Sequence, residues 1–252
     1  MREPMEAALP PAATQPPPPA EPENQQDPGV FPFATWGPWQ ALGAVVAALI
    51  GGLMLSLPFI VIDGGGDSDD FALGTTIAIQ FCTAIGFVGV PVLLALMPGG
   101  GVRAALGRLG LKAFEAKNAV KWIAIGTLSY IVFAYVYSVI VGTPEQDDIA
   151  GDFGPVPLQI LMIAIVAPIS EEICFRGMLF GGIRKKMPLP FAALAAGAIF
   201  GLLHYSTGWS AVPMLIVFGA ILAVVYEKTD SLWPAVIMHA LNNSVALIAL
   251  NS

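Results

Sequence analysis

Residues 41–62, "ALGAVVAALIGGLMLSLPFIVI", run for 22 positions without a charge until the aspartate that follows. A run of this length, about 18 residues or more, is long enough to cross a bilayer as a helix. It also narrows the available folds sharply. In hydrocarbon every backbone N–H and C=O must be satisfied within the protein, so only helices or closed barrels span. Further apolar runs follow. We read seven spans, at about 40–62, 71–97, 119–142, 157–180, 190–207, 209–226 and 232–250. The expected fold is an all-α, polytopic transmembrane helical bundle. The sixth run, "WSAVPMLIVFGAILAVVY", is short but carries an aromatic residue at each end, as interfacial anchors do.

Charge then orients the bundle. Only 12% of the 252 residues are charged, about half the usual share in soluble domains. The loops at 63–70 and 143–156 hold eight acidic residues and no basic one. The loop at 98–118 holds Arg103, Arg108, Lys112 and Lys117, and the later loops hold Arg184, Lys185, Lys186 and Lys228. A cytoplasmic N-terminus places these basic loops inside, and the C-terminus outside, as the positive-inside rule asks. The expected location is the cell membrane. The segment 102–122 reads equally as an interfacial helix or as an ordinary basic loop.

Residues 1–35 begin as a proline-rich, acidic tail, "PPAATQPPPPAEPENQQDPG", whose composition suits disorder. It has no apolar core of a signal peptide. Trp36 and Trp39 follow as expected interfacial anchors. The organisation expected is this tail, then membrane helices and the basic loop at 36–118, then a helical unit at 119–252. No basic patch is interleaved with exposed aromatics, which argues against nucleic-acid binding. The expected surroundings are the lipid bilayer and a membrane-associated partner. Cys82 and Cys174 lie in separate apolar runs and imply buried thiols rather than a disulfide.

One basic residue of the eleven is unaccounted for by loops: Arg176, inside the fourth span. It belongs to "PISEEICFRGMLF" (168–180), where two carboxylates and a guanidinium sit in an apolar run. Each such charge costs about 2.5–3.5 kcal/mol at a helix centre, so a functional reason is sought by default. Both histidines of the chain, His204 and His239, also fall in predicted spans, with Asn242 and Asn243 beside the second. At about 100° per residue, Glu172 and Arg176 share one helix face in the favourable order, whereas Glu171 lies about 140° away. The expected arrangement is a Glu172–Arg176 ion pair with Glu171 left free as a general base. His239 and Asn243, four apart, can direct N–H donors the same way, as an oxyanion site requires. Phe200, one turn before His204, is the expected packing partner of that ring. Ser170 lacks a base and is not expected to be a nucleophile, and "GAIFG" (197–201) is a close-approach motif.

The three motifs, Glu171-Glu172-x-x-x-Arg176, Phe200-x-x-x-His204 and His239-x-x-x-Asn243, together resemble the CPBP family of intramembrane proteases. That family includes type II CAAX prenyl endopeptidases and the bacterial bacteriocin-processing or immunity (Abi) proteins. The resemblance covers about residues 120–250. It implies an endopeptidase acting on a membrane-associated protein or peptide, with Glu171 activating water, His204 assisting, and His239 and Asn243 stabilising an oxyanion. Glu172, Arg176 and Phe200 are then supporting residues. The resemblance does not require a prenylated substrate. Members are often called metalloproteases, and zinc held by Glu171, His204 and His239 stands as the alternative to a metal-free glutamate mechanism. Against peptidase activity stand two other readings, a non-catalytic immunity or scaffold protein and a proton-coupled transporter. One tension follows from helix rise: Glu171 and His239 come out about 10–14 Å from the cytoplasmic ends of their spans, and His204 nearer 20 Å. A single site then needs an offset, tilted or late-starting fifth helix.

Overall fold

The computed structural model describes residues 32–66, 71–143 and 150–251; the expected disordered tail lies outside them as far as residue 31, as do parts of both acidic loops, whereas Phe33 and Ala34, expected in the tail, are buried in the bundle. The described residues form a helical bundle in which no strand occurs. The long helices are α1 (Pro38–Ile62), α2 (Leu73–Leu96), α4 (Ala116–Ile140) and α5 (Val156–Arg184), with a short α3 (Gly101–Arg108) between α2 and α4. Three more complete the chain: α6 (Leu189–Leu203), α7 (Val212–Thr229) and α8 (Trp233–Leu250). Six of these are long and apolar enough to cross a membrane. The chain is an integral membrane protein.

Helix α5 is the core. Half of its apolar window is buried within the protein, against 6% for α4, which faces outward along most of its length. Cys174, Phe175, Met178, Leu179 and Phe180 are all buried, and both cysteines are free thiols as expected. Two stretches of α5, Ile160–Val166 and Ile173–Phe180, are wound with wide i→i+5 turns. The six residues Ala167–Glu172 between them keep the ordinary pitch. Such widened turns are rare and recur at functional sites. They bracket the segment carrying Glu171 and Glu172.

Small residues set the helix pairs. A Cβ on Gly86 would collide with the Ala48 carbonyl, and one on Gly52 would stand 3.0 Å from the Thr83 Cα. The α1–α2 pair is therefore antiparallel and in near backbone contact. The "GAIFG" motif does the same for α6 and α7: a Cβ on Gly197 would meet the Ile216 carbonyl, and one on Gly201 would lie 2.7 Å from the Ile216 nitrogen. Close approach of this kind substitutes for the hydrophobic drive that lipid removes.

Four expectations change. The fifth predicted span, 190–207, is a 15-residue helix ending at Leu203. At about 1.5 Å per residue it is roughly 22 Å long, short of the ~30 Å hydrocarbon thickness. Trp36 is not an interfacial anchor: it is 2% exposed, and its Nε1–H donates to the Met178 carbonyl at 2.9 Å. Trp39, by contrast, is 83% exposed. Tyr226 is buried rather than interfacial, because α7 runs on to Thr229 and the turn at Gly110 (φ +83°) folds over the ring. Finally, the segment after α2, open in the sequence between an interfacial helix and an ordinary basic loop, is the short helix α3 followed by a turn held against the bundle. Arg108 donates to the carbonyls of Ala95 and Gly99, Leu109 is fully buried, and Leu232 N–H donates to the Gly110 carbonyl at 2.8 Å.

Candidate active site

The buried charges are organised from α5 outward. Arg176 Nη1 donates to Glu172 Oε1 at 2.7 Å, the pairing expected from the helix face. Its Nη2 donates to the Gly219 carbonyl at 3.2 Å, and its guanidinium stacks 4.4 Å from the centroid of Phe200. Both ions are essentially excluded from solvent. Glu172 Oε1 accepts a second hydrogen bond, from His239 Nδ1 at 2.8 Å. The other oxygen, Oε2, is buried with no partner among the described residues.

Each histidine has its Nδ1 proton assigned by its partner. The Phe200 carbonyl can only accept, so His204 Nδ1, 2.7 Å away, must carry hydrogen. That carbonyl is one of the orphan acceptors at the end of α6, so the helix terminus itself orients the ring. His239 Nδ1–H is likewise held by the Glu172 carboxylate. In the neutral form both rings therefore present a lone pair at Nε2. Both Nε2 atoms lie 3.8 Å from one atom, Glu171 Oε2. Among the described residues the Glu171 carboxylate accepts no hydrogen bond at all. α6 begins near its predicted position and ends at Leu203, and His204, the next residue, reaches Glu171.

Phe200 does more than pack on His204, whose ring centroid is 4.4 Å away. It also meets His239 edge-on at 5.9 Å and Phe175 at 5.2 Å. Phe218 closes the other side of His239 at 5.4 Å. Two of the residues that shape the site, Phe218 and Gly219 on α7, were not singled out in the sequence. A Cβ on Gly219 would press within 3.1 Å of both Arg176 Nη2 and Phe200 Cδ1. Aromatic and glycine positions in an apolar helix carry no mark that separates them from ordinary packing, so no signal could have found them.

Asn243 is brought to the site's edge and is engaged there. Its Nδ2 donates to the Ile163 carbonyl at 2.9 Å. In an i→i+5 ladder that carbonyl would look to the N–H of residue 168, and residue 168 is a proline. Asn243 thus satisfies a carbonyl that Pro168 cannot, with one N–H left over. Asn242 reaches only Asn243, at 3.5 Å. Ser170 donates to the carbonyls of Val166 and Ala167, which leaves its hydroxyl oriented along its own helix.

The zinc alternative can be tested against this donor set. The chemistry of Glu171, His204 and His239 fits a three-ligand catalytic site. The spacing does not, since tetrahedral ligands about 2.0–2.1 Å from zinc stand roughly 3.3 Å apart, against the 3.8 Å seen. No group of three or more His, Cys, Asp or Glu among the described residues has metal-holding geometry.

A family model described as Type II CAAX prenyl endopeptidase Rce1-like matches residues 153–245, the stretch that holds every group above. Those 93 residues, a little over a third of the chain, are what resembles the family. Among curated relatives, the chain is 33% identical over 93 residues to the "Putative membrane peptidase YdiL" of Bacillus subtilis (strain 168), covering 37% of each protein. It is 31% identical over 105 residues to the UPF0177 protein YxdF of Lactococcus lactis subsp. lactis (strain IL1403), covering 42% of this chain and 56% of that one. It is 24% identical over 156 residues to the membrane-embedded CAAX protease MroQ of Staphylococcus aureus (strain USA300), covering 56% and 62%. The matches thus span between 37% and 62% of these relatives' own lengths. No solved structure matches the chain significantly. Two of these relatives carry the names of a membrane peptidase and a membrane-embedded CAAX protease.

Proposed function

We propose that this protein is an intramembrane endopeptidase in which Glu171 is the general base. The observation that supports this most directly is the placement of one unbonded carboxylate oxygen 3.8 Å from two imidazole Nε2 atoms. That separation is too long for a direct hydrogen bond and suits a bridging water. In the reaction proposed, Glu171 takes a proton from this water while His204 Nε2 holds its other hydrogen. The water oxygen bonds to the scissile carbonyl carbon, and the carbonyl oxygen gains the negative charge. His239, doubly protonated and paired with Glu172, donates from Nε2 to that oxyanion, and the free N–H of Asn243 is the second donor. When the C–N bond breaks, the proton held by Glu171 passes to the leaving amine. One water is consumed and the carboxylate is restored.

Glu172 and Arg176 act as positioning residues, fixing His239 through Nδ1. The substrate is a membrane-associated protein or peptide, reached in a cell-membrane bundle with its N-terminus in the cytoplasm. A non-catalytic reading draws on one observation: His239 Nδ1 and Asn243 Nδ2 already have protein partners, as in a network that only joins helices. Glu171 counts against it, because a carboxylate kept for packing would be paired.

The test compares membrane-protein termini in cells expressing wild type or Glu171→Gln at equal abundance and equal fold stability. Termini that vanish with the variant support proteolysis and identify the substrates. Identical termini across growth conditions, joined by an inactive purified protein on membrane peptides, would favour the non-catalytic reading.

A further inference from the structure

On a different face from the carboxylate site, α4, α6 and α7 leave a groove of about 270 Å³. Its walls are almost wholly apolar and include Ile125 and Ser129 of α4, Leu194 of α6, and Ile221 and Val224 of α7. Trp122 stands at one end. From Trp122 to Ser129 the groove follows α4 for about 10 Å. Groove and bilayer are equally apolar, so the walls alone name no occupant. The charge at the Trp122 end does. Lys121 Nζ and Lys228 Nζ, from two different helices, lie 5.6 and 5.7 Å from the Trp122 ring centroid. Asn118 Nδ2 donates to the Lys228 carbonyl at 2.8 Å, which fixes the end of α7 against the start of α4. Both lysines are exposed, and neither forms an ion pair among the described residues. The acid next to Lys228 in the chain, Glu227, is already held by Arg184 through two hydrogen bonds of 2.7 and 2.9 Å.

We propose that this groove is a binding site for one anionic phospholipid. The phosphate sits between Lys121 and Lys228 at the level of Trp122, and an acyl chain lies along the groove toward Ser129. The match is of charge and shape together. Two uncompensated cations beside an amphipathic ring form a headgroup site at a membrane interface, and the apolar channel leading away from them fits a hydrocarbon chain. A second transmembrane helix would fill the channel but would leave the cations without a partner. The site is independent of the peptidase reading, since Glu171, His204, His239 and Phe200 are not among the residues that line it.

The experiment is lipid titration of the full-length protein in micelles, read by native mass spectrometry. Dioleoylphosphatidylglycerol and dioleoylphosphatidylcholine are the probes. The expected result is retention of one phosphatidylglycerol in preference to phosphatidylcholine. Lys121→Gln with Lys228→Gln should lower that retention about tenfold or more, at roughly 1 kcal/mol per lysine. Ser129→Phe, which blocks the groove from its rim without touching the cations, should lower it as well. Phosphatidylglycerol with brominated chains should quench wild-type fluorescence more than that of Trp122→Phe. Several results would overturn the proposal. One is equal retention of the two lipids, and another is retention unchanged by the lysine substitutions. Displacement by inorganic phosphate alone would show a headgroup anion site without a chain. A dimer that Ser129→Phe dissociates would show that a second copy covers the groove.

Discussion

The α1–α2 pair and the α5–α8 group are both assembled in lipid, yet they are held by different chemistry. Between α1 and α2 the contacts are made by Gly52, Gly86, Ala48 and Cys82, with backbones almost touching and no charge at the interface. Among α5, α6, α7 and α8, a buried ion pair, two histidines and an asparagine are added to the same kind of glycine packing. The first pair shows helices brought into close contact by small residues with no buried charge between them. Adhesion therefore does not explain the second arrangement. Each buried charge is costly, and a well-packed apolar replacement is often neutral or stabilising. The charges hold atoms in place rather than holding helices together.

This contrast can be broken by substitution. The largest effect is expected from Glu171→Gln. Peptide hydrolysis should fall about 10²- to 10⁴-fold, as for loss of a general base, while thermal unfolding in micelles stays near wild type. A parallel loss of stability would mean that Glu171 belongs to the packing. Next, removing one partner of the buried pair, as in Glu172→Gln or Arg176→Met, should cost about 3–5 kcal/mol in reversible unfolding. Replacing both, Glu172→Leu with Arg176→Met, should recover much of that stability and none of the activity, because His239 Nδ1 has lost its acceptor. Recovery of activity would remove Glu172 from its positioning role.

Gly86→Leu tests the other region. Forcing a side chain against the Ala48 carbonyl should cost about 1–3 kcal/mol or more, with turnover per folded molecule unchanged. A loss of turnover in the folded fraction would tie α1–α2 to the chemistry and end the comparison. The smallest effect should come from Arg184→Gln. Its bond to Glu227 is bidentate but partly exposed, and such pairs contribute at most about 1 kcal/mol.

The Glu172–Arg176 pair was legible because a four-residue spacing on one helix already brings the groups together, whatever the rest of the chain does. The close approach at Gly197 and Gly201 was legible for the same local reason. Where a residue's role depends on a second helix, sequence reasoning went astray. Trp36 looked like an interfacial anchor until α5 offered it the Met178 carbonyl. Of Asn243, only its four-residue spacing from His239 was legible. Its engagement with Ile163 was not, because that follows from a proline and a widened turn on a different helix. Phe218 and Gly219 gave no sign, since apolar and small residues in a lipid-facing chain look alike whether they line a site or fill a gap.

What the sequence determined by itself was the helical class, the small-residue contacts and the short-range ion pair, all of which follow from lipid and helix geometry acting within a few turns. What only the tertiary structure decided was that His204, His239 and Glu171 meet. That meeting depends on α6 ending at Leu203, on the Phe200 carbonyl in its last turn turning His204, and on Glu172 turning His239. Helix offset is a property of packed neighbours, and a sequence read one span at a time does not contain it.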